Sequence, residues 1–526
     1  MENATAEDSA PQPPLPGQRG KGLILLVSIL FVGGCGLIYE LMIATVSSYL
    51  LGSSVTQFSI AIGVFIGAMG LGSFASHLVR VHLLEVFIFT EMLLAVVGGP
   101  SAALLFWTYS MEGVFGFVQY GTLVSVGALT GLELPLLTRL LNRYGSLQII
   151  LAQALSFDYL GALLGSLLFP LLLLPSLGLM RTSFLVGLLN VVVAGWNILA
   201  FRKDLRRPWF ALALCGGIAG AHSAGLLYSG RLLFWLESRL YQDEIVYSEQ
   251  TAYQRIVLTR WQDDWRLYLN GHLQFSSIDE HLYHEALVHP ALALAPNRER
   301  ILVLGGGDGL VARELLKDPA VNAVTIVDLD PSMTRLGRSL PALVLLNRGA
   351  FHDQRVHVVS EDAFKFLESS TTTYDIILAD LPDPSHEVLV KLYSVQFYRL
   401  VRRHLSATGL FVTQATSPVL ARDAFWCIHD TVKAAGLHPL PYRRFVPSFG
   451  DWGFVMAARR PLDLSTLEKI EHAGPLSAAA LKAMFAPEDR ADVDAATSTL
   501  DRPVLLNYYL DQWRQWRRES ALSRRS

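Results

Sequence analysis

Ile301-Leu302-Val303-Leu304-Gly305-Gly306-Gly307-Asp308 sets the architecture of the C-terminal half of the chain. A short apolar run ends in three glycines and an aspartate, and Gly309 to Lys317 follows with the character of a helix. Strand, glycine turn and helix in that order present a helix N-terminus to a nucleotide-like ligand. Glycine suits the turn because no Cβ keeps the ligand from the backbone. The pattern repeats downstream. Thr325-Ile326-Val327-Asp328-Leu329-Asp330 is a second strand ending in acids, Glu361-Asp362-Ala363 follows a third, and Asp380-Leu381-Pro382-Asp383-Pro384 follows a fourth. Carboxylates at four successive strand ends would meet at the carboxyl edge of one parallel sheet.

Strands are expected near 301–304, 323–328, 355–359, 374–379 and 409–415, alternating with helices, then near 438–446 and 452–458 as a closing hairpin. Residues 299–460 therefore read as a doubly wound, Rossmann-like α/β domain. Ahead of it, period-two alternation around an Asn270-Gly271 turn gives a small β-hairpin subdomain with a helix from Asp279 to Leu294, together 244–298. Residues 461–526 read as a helical tail. Its basic end (Arg514, Arg517, Arg518, Arg524, Arg525) suits solvent or an anionic lipid surface.

The N-terminal half is of another kind. Over 526 residues the chain is 52% hydrophobic and only 17% charged, apolar for a soluble protein. After a Pro-, Gln- and Gly-rich stretch at 1–21, read as a disordered tail, apolar segments recur at 22–44, 57–79, 84–106, 114–138, 148–174, 180–201 and 209–229. Each is of the length a bilayer-crossing helix needs, so 22–229 is expected to be a multi-span α-helical membrane domain of about seven spans. An amphipathic connector at 230–243 would join it to the rest. The pairs Gly63/Gly67 and Gly161/Gly165 have the spacing of close helix packing. Glu40, Glu91, Glu133 and Asp158 lie inside the apolar segments. They read either as a path or site for a cation or as interhelical hydrogen-bonding groups nearer the interface.

Lys and Arg fall mainly in alternate loops (Arg19 and Lys21, Arg80, Arg139 and Arg143, Arg202 to Arg207), which puts the N-terminus in the cytoplasm. Seven spans from that start would leave the C-terminal half outside. Either one segment, such as the long 148–174, does not cross, or the C-terminal half is exported. The net charge of −3 argues against general nucleic-acid binding. Cys35, Cys215 and Cys427 give neither a metal-ligand spacing nor a disulfide framework.

The acids suggest a chemistry. A diamine carries two ammonium groups at neutral pH, and a pocket of aspartates would hold it by charge-assisted hydrogen bonds. To attack an electrophile, one amine must lose a proton, and a neighbouring carboxylate can take it. Asp380 and Asp383 stand three residues apart across a proline turn, so one can act as base while the other holds the amine. Asp328, at the end of the second strand, has the place of an acid that binds ribose hydroxyls; capping the next helix at Pro331 is the competing role. Asp330 reads as a cap. Asp362 could accept from an adenine amino group. Asp308, inside the glycine turn, would repel a ligand carboxylate and attract an ammonium, which favours a sulfonium nucleoside with an aminopropyl arm over intact S-adenosylmethionine. His284 reads either as part of the site or as a surface histidine.

These residues resemble the spermidine synthases, the polyamine aminopropyltransferases. The matching pieces are Tyr253-Gln254-Arg255, Leu267 to Phe275, Asp279-Glu280 with Tyr283-His284-Glu285, Gly305 to Gly309, Asp328 to Pro331, Asp362-Ala363, Asp380 to Pro384, and Leu392-Tyr393. They cover roughly 244–460, and with the apolar N-terminal half the whole resembles the bacterial membrane-fused form. The resemblance implies a sheet of the S-adenosylmethionine-dependent methyltransferase type and no metal or resident cofactor. It implies transfer of the aminopropyl group of decarboxylated S-adenosylmethionine, a co-substrate, to putrescine. By motif, Asp380 would be the proton acceptor. Gln254, Asp328, Asp362, Ala363 and the turn Gly305, Gly306 and Gly307 would hold the nucleoside. His284, Asp308 and Asp383, with Gln274 and Tyr283, would line the amine side. The sequence departs from the family in having Asp328 where glutamate is frequent, Leu310 after Gly309, and Ser385-His386-Glu387 in place of a Gly-Pro step. A homodimer, a lipid bilayer and an amine are the implied partners. The implied location is the bacterial inner membrane, multi-pass, with the C-terminal half in the cytoplasm. A methyltransferase and a membrane polyamine carrier or sensor with a binding-only C-terminal half remain as other readings.

Overall fold

The computed structural model describes residues 16–51, 54–109, 111, 114–144, 146–241, 243–462, 465, 472–485, 490 and 493–512. The chain divides into two units, Met1–Gln242 and Asp243–Ser526. The first is helical: α1 (Pro16–Leu51), α2 (Ser54–Ala75), α3 (Leu83–Gly98), α4 (Ser101–Tyr109), α5 (Val114–Leu141), α6 (Leu147–Leu168), α7 (Leu174–Ala200) and α8 (Pro208–Leu240). Among the described residues, six helical runs are long and apolar enough to cross a membrane.

One of those runs, Leu147–Ala200, has 54 residues, about 80 Å of helix at the standard rise and far more than one pass needs. It breaks at Gly178, where φ is 72° and ψ 175°, a conformation that glycine alone adopts readily. α6 runs parallel to α1, since a Cβ on Gly161 would meet Leu30 O and one on Gly165 would meet Gly34 O. α7 runs antiparallel to α1: Lys21 lies over Phe201, and Asn197 donates to Ser28 at 2.8 Å. The run therefore folds back on itself. α3 and α4 form one run, and α8 runs antiparallel to α7, a Cβ on Gly195 meeting Cys215 and one on Gly187 meeting His222, so α8 ends at the end of the bundle opposite Lys21.

Several expectations for this unit change. The helix already starts at Pro16, inside the stretch read as a disordered tail, and residues 1–15 lie outside the described part. α8 continues unbroken to Leu240, so the expected connector at 230–243 is largely the end of the last helix. Gly161 and Gly165 do let α6 close on α1, but a Cβ on Gly63 or Gly67 would meet nothing; α2 meets α5 through Gly72 instead. Glu91 and Glu133 are fully buried with no hydrogen-bond partner among the described residues. Among the described residues they are therefore not hydrogen-bonded between helices. Glu40 is buried, and Asp158 lies against α1 at Gly33.

The second unit opens with β1 (Glu244–Gln250), β2 (Arg255–Trp261), β3 (Asp264–Leu269) and β4 (His272–Ser276), an antiparallel sheet in chain order. Asn270 and Gly271, with φ of 49° and 79°, make the turn between the last two strands. After α9 (Glu280–Leu294) come β5 (Arg300–Gly305), α10 (Leu310–Leu315), β6 (Ala323–Asp328), α11 (Pro331–Ser339), α12 (Pro341–Leu346), β7 (Val356–Ser360), α13 (Ala363–Ser369) and β8 (Tyr374–Asp380). Then follow α14 (Glu387–Val390), α15 (Val395–His404), β9 (Leu405–Gln414), α16 (Arg422–Ala434), β10 (His438–Val446) and β11 (Gly450–Ala458).

The seven strands lie in the order β10-β11-β9-β8-β5-β6-β7, with β5 to β9 parallel and β11 antiparallel to β9. This is the methyltransferase-like α/β arrangement. β5 is central and covered on both faces, which is why its sequence is a continuous apolar run rather than an alternating one. Its side chains serve two cores: Leu302 and Leu304 pack with α15 and α16, Ile301 and Val303 with α9 and α10. The crossovers leave β5 in one direction for β6 and return on its other side at β8, so β5 and β8 flank the switch point where such sheets bind ligands. Register makes the strand ends level, pairing Gly305 with Asp380 and Asp328 with Ser360.

The tail departs from expectation. Residues 504–512 are helical, as anticipated, but Leu505 is fully buried, and Leu506 and Tyr509 join the core beneath α15 and α16. The basic residues from Arg514 onward lie outside the described residues.

Two glycines test the packing argument. Both have positive φ, but a Cβ on Gly305 would lie 2.0 Å from Asp380 O while one on Gly271 would meet nothing. Gly305→Ala should destabilise the chain by roughly 2–5 kcal/mol, backbone strain plus overpacking, and Gly271→Ala by strain alone, about 1–2 kcal/mol. Thermal unfolding of the two full-length variants checks this; equal shifts would discard the close-approach explanation.

Candidate active site

The glycine turn and the end of β8 come together first. Gly305 and Gly306 have φ of 87° and 71°, and this left-handed path brings the turn against Asp380. Asp328, at the end of β6, accepts from Gly307 N at 3.0 Å and from Asp330 N at 2.9 Å. It thus braces the glycine turn and does not cap α11. The cap is Asp330, which accepts from Ser332 N. Burial pushes the Asp328 carboxyl up to about 6.

Asp308 follows the turn and accepts from Leu310 N at 2.9 Å. Asp380 accepts from Tyr283 Oη at 2.9 Å. His284 joins them: one ligand-type atom each of His284, Asp308 and Asp380 lies within 4.8 Å of the others. Both aspartates are half-buried, so each is reachable from solvent yet partly stripped of it. Tyr283 is aligned by Phe454, whose ring centroid is 5.4 Å away. Burial and then the Asp380 charge keep the Tyr283 hydroxyl protonated, which makes it a donor.

His284 is buried, which overturns its reading as a surface histidine. Its Nδ1 lies 2.7 Å from Glu280 Oε2, one helical turn earlier on α9. Arg313 on α10 grips both oxygens of Glu280, at 2.6 and 2.9 Å, and donates from Nε to Glu314 at 2.9 Å. Glu314 in turn meets His289 Nε2 at 2.8 Å, so His289 is a structural member of this chain. Burial alone would strip the His284 proton, but the Glu280 carboxylate more than offsets it and holds the imidazole up at about 9. At neutral pH His284 is therefore a cation beside two acids. Burial lifts Asp380 to about 6, the His284 charge pulls it down, and Asp308 pushes it up. Burial likewise raises Asp308.

Asp383 sits beyond the proline turn. Its Oδ2 accepts from Tyr509 Oη at 2.9 Å and its Oδ1 from Gln414 Nε2 at 3.2 Å. Burial raises its carboxyl to about 6 although both bonds lower it. The charges of both Asp380 and Asp383 help to raise the Tyr283 hydroxyl, after its burial. Tyr393 orders the turn by donating to Pro382 O at 2.9 Å.

The residues expected to hold the nucleoside are more self-contained. Gln254 donates to Asp330 Oδ2 at 3.0 Å. Asp362 caps α13 through Phe364 N and Lys365 N and pairs with Lys391 at 2.5 Å, with Ala363 buried beside it. Gln274 lies on β4 and donates to the carbonyl of His272, so its amide is directed along its own strand rather than to the acids. Sequence reasoning missed Glu280, Arg313, Lys391, Gln414 and Tyr509. Only Glu280 left a signal, four residues before His284 on one helix face.

The comparisons with known proteins fit this geometry. The family model described as "Spermine/spermidine synthase domain" matches residues 280–466. Polyamine aminopropyltransferase 1 of Ralstonia nicotianae is 48% identical over 460 residues, 86% of this chain and 87% of that one. The polyamine aminopropyltransferase of Leptospira interrogans is 40% identical over 502 residues, covering 93% of this chain and 98% of the relative. The chain belongs to the polyamine aminopropyltransferase family. A spermidine synthase structure in complex with the transition-state analogue AdoDATO is 24% identical, with a TM-score of 0.43 over 46% of this chain and 85% of its own. The relatives match across nearly the full length of this aminopropyltransferase, including its helical N-terminal unit. Family membership decides for aminopropyl transfer over the methyltransferase and binding-only readings, with decarboxylated S-adenosylmethionine as co-substrate.

The electrostatics fix a pH response. An acid lifted to about 6 is a base only above that pH, so the aminopropyltransferase should lose kcat/KM for the amine as pH falls through about 6. His284→Gln removes the cation that holds Asp380 down and should move this acid limb to higher pH. Rate profiles of wild type and variant check the sign; a limb that stays or moves to lower pH contradicts the assignment.

Proposed function

We propose that the protein is a membrane-embedded aminopropyltransferase that converts putrescine and decarboxylated S-adenosylmethionine to spermidine and methylthioadenosine. The carrying observation is Asp380, held by Tyr283 beside His284 and Asp308, at the strand end paired with the glycine turn. In this reading the glycine turn, Asp328, Gln254, Asp362 and Ala363 hold the nucleoside, and Asp308 attracts the ammonium of its aminopropyl arm. Asp383 holds the far ammonium of the acceptor. Asp380 orients the near amine and takes its proton. The freed nitrogen lone pair attacks the methylene carbon next to sulfur; the carbon–sulfur bond breaks, and its electron pair stays on sulfur as the neutral thioether. The site cancels a sulfonium charge, so a cleft lined with carboxylates must not overstabilise the donor. The His284 cation moderates that field.

Apolar helices of spanning length support the membrane part of the proposal. A bacterial inner membrane with the catalytic half in the cytoplasm is proposed as the location, and a homodimer, by resemblance to soluble relatives, as the assembly. The donor supports cytoplasmic placement: a sulfonium nucleoside with an ammonium arm carries two positive charges and does not cross hydrocarbon unaided. The seven passes read from the sequence then set the basic loops outside, against the usual loop-charge bias. A phosphatase fused after Ser526 should be inactive in cells; an active fusion overturns this orientation.

Purified protein incubated with decarboxylated S-adenosylmethionine and a panel of di- and triamines should add one aminopropyl group to putrescine and release equimolar methylthioadenosine, read by mass spectrometry. Asp380→Asn should lower turnover at least about a hundredfold, the scale of lost general-base catalysis, with nucleoside binding nearly intact. Methyl transfer without methylthioadenosine, or full turnover by the variant, would sink the mechanism.

A further inference from the structure

Asp383, like Asp380 with Tyr283, is held by side chains, unlike the other acids nearby. Asp308 is oriented by Leu310 N, Asp328 by Gly307 N and Asp330 N, and Asp362 by Phe364 N and Lys365 N. Asp383 stands between Pro382 and Pro384, which have no N–H to offer. Its two oxygens are held instead by side chains from distant parts of the chain, Gln414 at the end of β9 and Tyr509 on the 504–512 helix. Gln414 is shared, since its Nε2 also lies 3.0 Å from Leu381 O and 2.6 Å from Tyr393 Oη. Tyr509 therefore carries much of the orientation.

The segment that brings Tyr509 to this place is built into the fold. Val395 N donates to Ser498 O and Ser498 N donates to Thr431 Oγ1, both at 2.9 Å, which ties it to α15 and α16. Leu505 and Leu506 then enter the core, and Tyr509 is only 6% exposed. All of this lies beyond residue 466, where the match to the synthase domain ends.

We infer that Tyr509 is a positioning residue for the acceptor amine, its hydroxyl holding the Asp383 carboxylate in the orientation that receives the amine's far ammonium. The inference rests on the proposed assignment of Asp383 to the amine. A carboxylate offers about four lone-pair directions, so one neutral donor on each oxygen orients it and leaves directions free for an ammonium. The phenol also stands beside the place where that ammonium would bind, so it bears on which amine lengths fit. The C-terminal helix thus completes the amine end of the cleft and does not merely cover the core.

The test is Tyr509→Phe in the full-length protein, which keeps the buried ring and removes only the donor. Steady-state kinetics with putrescine should show an amine KM raised about tenfold, the scale of a lost hydrogen bond to a charged group. The KM for decarboxylated S-adenosylmethionine should stay within about twofold and kcat should change little, because the nucleoside side and Asp380 are untouched. Selectivity between putrescine and a triamine should change as well. An unchanged amine KM, or equal rises in both KM values as a loosened fold would give, overturns the inference. Methylthioadenosine binding by calorimetry confirms that the variant is folded. Wild type run alongside separates the two levels: a wild type that releases no methylthioadenosine with any amine removes the transfer reading and this inference together, whereas an active wild type matched by the variant removes Tyr509 alone.

Discussion

Carboxylates crowded into a half-buried cleft repel one another, and each loses hydration there; without compensation they would take up protons and cease to be useful as bases. His284 is the compensation. It is a cation only because Glu280 stands one turn away, and Glu280 is dependably ionised, its carboxyl down at about 2, because His284 and Arg313 outweigh its burial. The alternation of charge from Glu314 through Arg313 and Glu280 to His284, then to Asp308 and Asp380, fixes both geometry and protonation. Removing an inner member would leave a buried charge unpaired, far worse than never having built the pair.

That network also explains why the site sits where two helices and two strands meet. α9 supplies Glu280, Tyr283 and His284 from consecutive turns, and α10 begins at the glycine turn and supplies Arg313 and Glu314. The helix that precedes the sheet is thereby bonded to the helix that follows its first strand. The same His284–Asp308–Asp380 spacing could serve a small metal ion, but an imidazole held protonated is a donor and repels a metal. Two carboxylates facing an imidazolium suit an ammonium that arrives with its own protons.

The C-terminal half was legible because its signals are local. Strand ends, the glycine turn and the Asn270-Gly271 hairpin are written in adjacent residues, and their physical cause acts over a few positions. The acids at the strand ends were legible too, since parallel register brings them to one edge automatically. What stayed hidden depends on contacts far apart in sequence. Arg313 looks like any helix arginine, and nothing in the tail distinguishes Tyr509 from a packing tyrosine until Asp383, 126 positions away, is set against it. In the N-terminal half, hydropathy gave the apolar segments and a boundary between 174 and 180, where the chain folds back at Gly178, but not which helix each one packs against. Gly63 and Gly161 look alike in sequence, and only the neighbours tell that one faces open space and the other a backbone.

The two ends of the cleft are organised on different principles, and this bears on how it works. Gln254 is joined to Asp330 and Asp362 to Lys391, so a nucleoside bound there, as proposed, would exchange bonds that the protein already makes. Exchange of one polar bond for another yields little net free energy, which favours specificity over tight binding. At the end proposed for the amine, Asp308 is oriented by Leu310 N, Asp380 by Tyr283 Oη and Asp383 by Gln414 and Tyr509, neutral donors that add no positive charge, with the His284 cation beside Asp308 and Asp380. Under the proposed assignment, a diammonium would gain most of its attraction on entry, the donor would be selected by bond exchange and the acceptor by charge. Asp380 would lie where these two regimes meet, its protonation set by the His284 cation and its position by the Tyr283 phenol.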